Sequence, residues 1–174
     1  MATRAPLSLK ARAIGLLAQR EQSRAELRRK LLRINQQQRV RLAATQRAGE
    51  NVSVDPRCDE DGSDADTAAV DALLDALAAD GHLDETRFVA SRLHLRVSRF
   101  GARRIQHELA LHGLKLDAEQ QAALRATELE RARVVWLKRF GAEPSGEASE
   151  QARQTRFLLA RGFAPDVVRR LLKA

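Results

Sequence analysis

The sequence predicts an all-α protein made of three tandem three-helix repeats in an elongated, curved molecule. Three observations carry this prediction. The first is composition: 174 residues with 44% hydrophobic and 31% charged side chains, 3% aromatics, no Tyr, nine Gly and four Pro. Such a chain can bury a core, and its Ala, Leu, Arg, Glu and Gln are helix formers rather than strand formers. The second is apolar spacing at the helical period nearly everywhere, with no strand-like alternation. The third is an internal correspondence among short helices that end alike.

The elements follow in order. Leu9, Ala13, Leu16 and Leu17 share one face of a helix over about 8–20. Ser23 and Glu26 form a capping box that opens a second helix burying Leu27 and Leu31. Val70, Leu73, Leu74 and Leu77 mark a third, with Gly81 at its C′ position. Val89, Leu93, Val97 and Phe100 mark a fourth, ended before Gly101. Ile105 and Leu109 lie on a fifth that stops at Gly113. Asp117 with Gln120 caps a sixth through about Thr127. Leu129, Ala132, Trp136 and Phe140 mark a seventh closed by Gly141, and the aromatics belong to its core face. An eighth runs over about 148–161 to Gly162, and Pro165 opens a ninth carrying Val167, Val168, Leu171 and Leu172.

The segments IQHELALHGL (105–114) and QTRFLLARGF (154–163) align Leu109 with Leu158 and Gly113 with Gly162. LRRKLLRIN (27–35) aligns through Leu27 and Leu31, with Asn35 where the others have Gly. Asn also tolerates the left-handed conformation at a helix end. Ile105 and Gln154 are 49 residues apart; Leu27 and Ile105 are 78 apart, or 51 once an insertion of 27 is discounted. The expected repeats are 1–80, 81–127 and 128–174. The first carries a flexible insertion at about 35–66, whose first half can extend the second helix and whose second half is expected to be mobile. Residues 141–149 form another loop. Each triplet is too small to stand alone, so neighbours must share surface.

Charge is unevenly placed. Residues 1–50 hold 12 Lys/Arg and 3 Asp/Glu, residues 51–90 hold 2 and 11, and residues 91–174 hold 17 and 9. The basic balance points toward polyanions, against the plain alternative of solvated helix faces. The single cysteine, Cys58, leaves no internal disulfide and no cysteine zinc site. No apolar run reaches the length of a membrane span, and the N-terminus lacks a secretory core, so a cytoplasmic location and no membrane partner are expected.

The motifs argue against catalysis. His107 and His112 stand five apart, not four as in H-E-x-x-H, and diverge by about 140° on a helix. No phosphate-cradling or nucleophile-elbow motif occurs, and the acidic run 55–66 lacks the calcium-loop spacing. The protein is expected not to be an enzyme and to need no cofactor or metal.

Arginine dominates the basic stripes, which suits bidentate contact with phosphate or carboxylate. Similar positions in repeated helices can line up as a track, and exposed aromatic reading heads are nearly missing. The candidate contacts are Arg28, Arg29, Arg99, Arg103, Arg104, Arg156 and Arg161.

Three segments resemble the RecX family of recombination regulators: 13–31, with its A-x-x-L-L-A-x-R-x-x-S-x-x-E-L-x-x-K-L pattern; GHLDETRFVASRLHLRVSRFGARRIQHELALHGL (81–114); and FLLARGFAPDVVRRLL (157–172). The likeness spans nearly the whole chain except about 35–66, which is longer than the family's first connection, and Val89 adds a minor departure. The resemblance implies three three-helix repeats, binding to the RecA protein and to the RecA–single-stranded DNA filament, and inhibition of recombinase, ATPase and coprotease activities. A monomer is expected, with the arginines named above as RecA or DNA contacts. Direct nucleic-acid binding, or service as a helical adaptor for another protein, stands as the alternative.

Overall fold

The computed structural model describes residues 7–47, 59–141 and 147–173. Among these it holds nine helices: α1 (Leu9–Gln19), α2 (Arg24–Arg47), α3 (Asp59–Ala79), α4 (Glu85–Arg96), α5 (Ala102–Ala110), α6 (Ala118–Ala126), α7 (Glu128–Phe140), α8 (Ala148–Ala160) and α9 (Pro165–Lys173). The chain divides into two compact units, Met1–Glu85 and Thr86–Ala174. It is all-α in triplets, and each triplet surrounds its own apolar cluster.

In the first unit, Ala13 of α1, Leu27 and Leu31 of α2, and Val70, Leu74 and Leu77 of α3 are fully buried together. Ser8 caps α1 by accepting from the Ala11 amide, and Ser23 Oγ accepts from Glu26 N–H at 3.1 Å. Gly81, at φ 72°, ends α3 in a left-handed turn in which His82 N–H donates back to the Leu77 carbonyl.

One expectation about 35–66 holds and two need correction. The first half of 35–66 extends the second helix, with α2 continuing to Arg47, whereas the end of the second half is helix rather than mobile loop, because α3 begins at Asp59; residues 48–58 lie outside the described residues. The acidic residues 59–66 therefore stand in a helix rather than a loop, while Cys58 lies outside the described residues. Asn35 does not end a helix, because α2 runs through it to Arg47 without a left-handed turn. The physical reason is charge pairing along an antiparallel hairpin. Arg24 meets Asp75 at 2.7 Å, Arg28 meets Asp71 at 2.6 Å, and Arg39 meets Asp66 at 3.2 Å. Gln36–Arg39 are good helix formers, and nothing in the sequence after Asn35 stops them.

In the second unit, α4–α6 enclose Phe88, Val89, Ala102, Ile105, Leu109, Leu116 and Leu124. Asp117 and Gln120 form the expected reciprocal capping box at the start of α6. Helices α7–α9 enclose Ala132, Val135, Trp136, Leu158, Phe163, Val167, Val168 and Leu171. The Trp136 indole N–H donates to the buried Gln154 side chain at 3.0 Å, so burial leaves no orphan donor. Helices of nine residues such as α5 and α9 are too short to persist alone. Each fully buried Leu or Phe contributes about 1.5–3 kcal/mol, and this packing holds them.

Candidate functional site

The site grows from the junction of the two triplets in the second unit. Helix α5 starts at Gly101, which has no side chain to cap it. Its first amides are satisfied from elsewhere. Gly101 N–H donates to the Arg161 carbonyl at 3.0 Å, and Arg103 N–H to the Gly162 carbonyl at 3.2 Å. Ala102 N–H donates to Glu128 Oε1 at 3.0 Å. The same oxygen accepts from Ala164 N–H at 3.2 Å, at the start of α9. One buried carboxylate thus serves two helix N-termini, where partial positive charge favours it.

Arg131, one turn along α7, serves the opposite ends. Its Nη1 donates to the carbonyls of Val97 (3.1 Å) and Phe100 (2.8 Å) beyond α4, and its Nη2 to Leu124 (2.7 Å) in the last turn of α6. Burial pulls its pKa below the ordinary arginine value, opposed by the nearby charge of Glu128. Five donors in a planar fork let one side chain close several carbonyls at once.

Gly101 and Gly162 meet backbone to backbone. A Cβ on Gly101 would collide with the Gly162 carbonyl and the Phe163 nitrogen, so no larger residue fits. Gly162 also needs its positive φ of 81°.

Above this junction lies an open groove of about 420 Å³. Ser98 and Arg99 line it from the turn after α4; Val135, Lys138 and Arg139 from α7; Phe157 from α8; and Arg161 from the turn after α8. Val135, Lys138 and Arg139 fall on one helical face because they are spaced i, i+3, i+4. The Arg161 guanidinium stacks over Phe157 at 4.6 Å, and its Nη1 donates to the Arg99 carbonyl at 3.3 Å. The groove therefore holds four cations and no carboxylate. Among the described residues, none of the four is paired with an acid.

The seven arginines singled out from the sequence separate into three groups. Arg99 and Arg161 line the groove. Arg103 and Arg104 are exposed at the start of α5, where Arg104 stacks on Phe100 at 4.5 Å and pairs with Glu108; Arg156 is exposed on α8. Arg28 and Arg29 belong to the other unit. Arg28 is held by both oxygens of Asp71 (2.6 and 2.9 Å), which raises its pKa and lowers that of Asp71. Sequence reasoning missed Lys138 and Arg139, although their spacing from Val135 was available. It also missed Glu128 and Arg131, whose partners are main-chain atoms distant in sequence.

The charge division sharpens the picture. Residues 1–85 hold 13 Lys/Arg against 14 Asp/Glu, whereas 86–174 hold 18 against 9. The first unit is nearly neutral, with Arg24, Arg28 and Arg39 paired to acids of α3, and the excess positive charge belongs to the second.

A family model described as RecX, third three-helix domain, matches residues 126–172, the span of α7–α9. Over 99% of its length the chain is 46% identical to the regulatory protein RecX of Leptothrix cholodnii, covering 93% of that protein. The chain belongs to the RecX family. Other RecX proteins agree, at 43% identity over 98% of the chain for Ralstonia nicotianae and 39% over 97% for Ralstonia pickettii, each 89% covered. These RecX relatives are named as regulatory proteins. In this RecX chain no helix among the described residues is long and apolar enough to cross a membrane.

Proposed function

We propose that this chain is a non-enzymatic, cytoplasmic negative regulator of RecA. It binds the filament that RecA forms on single-stranded DNA and lowers its recombinase, ATPase and coprotease activities. The observation that carries this reading is 46% and 43% identity, over nearly the whole chain, to RecX regulatory proteins. The triplets act as successive repeats over about 1–80, 81–127 and 128–174, and the working form is a monomer.

The second unit supplies the principal contacts, through Arg99, Arg103, Arg104, Arg156 and Arg161. Its uncompensated positive charge supports this assignment. Arg29 remains an exposed candidate on the first unit, whereas Arg28 must first leave Asp71. Several modest contacts to successive protomers combine through effective concentration. Such binding inhibits only by favouring one filament state over another.

The test is to add the full chain to RecA, single-stranded DNA and ATP, and to follow ATP hydrolysis and filament length. Both are expected to fall at substoichiometric to stoichiometric protein. Unchanged hydrolysis and length would reject the reading. Reversal of Arg103, Arg104 and Arg156 to Glu is expected to weaken inhibition while the far-ultraviolet circular dichroism stays helical.

A further inference from the structure

We infer that the groove lined by Arg99, Lys138, Arg139 and Arg161 is a subsite for the phosphodiester backbone of a single nucleic-acid strand, gripped without reading its bases. This deepens the proposed function by giving the second unit a ligand of its own.

The first argument is charge. Four cations converge on about 420 Å³ from the turn after α4, from α7 and from the turn after α8. They repel one another, and among the described residues no carboxylate relieves them. A polyanion that spans the groove removes that repulsion and releases its own counterions.

The second argument is hydrogen-bonding type. Arg and Lys only donate, and Ser98 is the one lining side chain that can also accept. The lining residues of α7 and α8 are helical, so their backbone groups are largely used. A phosphodiester chain brings acceptors only and matches this lining. An acidic peptide brings an amide donor with every residue, and those amides would lose water with little to replace it.

The third argument concerns the bases. Phe157 is the lining aromatic, and Arg161 already covers it at 4.6 Å. Trp136 is buried. With no open ring to stack on, the groove holds the backbone and leaves the bases outside. Arg161 is fixed in advance by that stack and by its bond to the Arg99 carbonyl. Less side-chain freedom is lost on binding as a result.

The experiment uses the full chain without RecA, so that its failure and the failure of RecA regulation are separate results. The probe is a fluorescein-labelled oligothymidylate of about 20 nucleotides, titrated by anisotropy between about 50 and 200 mM salt. Two to four neutralised phosphates give a log–log salt slope between about −1.4 and −2.8. Lys138→Glu/Arg139→Glu is expected to weaken binding roughly tenfold or more and to flatten the slope by about 1.4. Arg169→Glu/Arg170→Glu changes net charge equally, and both residues are exposed on α9 outside the lining. This control is expected to stay within about threefold of the parent, because it leaves the direct phosphate contacts intact. Circular dichroism and Tm confirm that both variants fold. Absence of binding, or equal loss in the two variants, would overturn the assignment. Displacement of the probe by polyglutamate at equal charge would assign the groove to an acidic peptide, and displacement by inorganic triphosphate at equal phosphate would assign it to a free polyphosphate. Either result also overturns it.

Discussion

Glu128 and Arg131 stand one turn apart on α7 and complement opposite ends of other helices. The Glu128 carboxylate accepts from amides at the starts of α5 and α9, while the Arg131 guanidinium donates to carbonyls at the ends of α4 and α6. Four other helix ends therefore draw part of their capping from α7.

Removing the Glu128 oxygens strands two amides away from water. Glu128→Ala is expected to destabilise the protein by about 2–4 kcal/mol, and Glu128→Gln by less, since it keeps one acceptor. Arg131→Lys is expected not to rescue, because an ammonium cannot reach carbonyls on two helix ends at once. Urea denaturation followed by circular dichroism measures all three.

Two glycines should respond very differently to one added methyl. Gly101→Ala drives a Cβ into the Gly162 backbone, and overpacking there is expected to cost about 2–4 kcal/mol. At Gly113 a Cβ meets nothing within 4 Å, so only the positive φ of 75° opposes it. About 1–2 kcal/mol is expected for Gly113→Ala. Thermal melts of the two variants check the order.

Acid should act on the first unit through its ion pairs. The Arg28 hydrogen bond holds the Asp71 carboxyl below its ordinary value. Glu26 is also lowered: burial pushes its pKa up, but hydrogen bonds from Lys30 and Arg20 outweigh it. A depressed folded-state pKa contributes stability that is complete above the unfolded value. That contribution is lost as pH falls through the folded one, which lies below about pH 4.5 here. Asp71→Asn is accordingly expected to lower Tm by no more than a few degrees at pH 7, and the difference should shrink as pH falls below the ordinary aspartate range. Paired melts at pH 7 and through the acid range decide.

Trp136 is the only tryptophan, so its fluorescence reports the α7–α9 triplet alone. Gln154→Leu leaves the indole N–H buried without its acceptor and is expected to cost about 1–3 kcal/mol. Urea unfolding monitored by Trp136 emission would show it.

Helix positions were legible in the sequence wherever an end has a chemical marker. Gly81, Gly113, Gly141 and Gly162 all adopt positive φ, and the Asp117–Gln120 box forms as its spacing requires. Asn35 shows the limit: it permits a left-handed turn but does not compel one, and the Arg39–Asp66 pairing carries α2 past it. The charge blocks were visible too, yet sequence order alone does not say that one basic segment is folded against the acidic one. Only half of the groove was found. Arg99 and Arg161 belong to basic stripes near helix ends, whereas Lys138 and Arg139 join them through the packing of α7 against α8 and α9.

The backbone bonds from Gly101 and Arg103 to the turn at Arg161 and Gly162 have a further consequence for how the chain can be cut. The stretch 126–172 is recognisable as a family domain, but excised alone it leaves Glu128 without Ala102 and the Gly162 turn without its partners. Such a fragment should melt far below the intact protein, whereas one spanning 86–174 should hold. The family-domain segment is thus smaller than the compact unit that contains it.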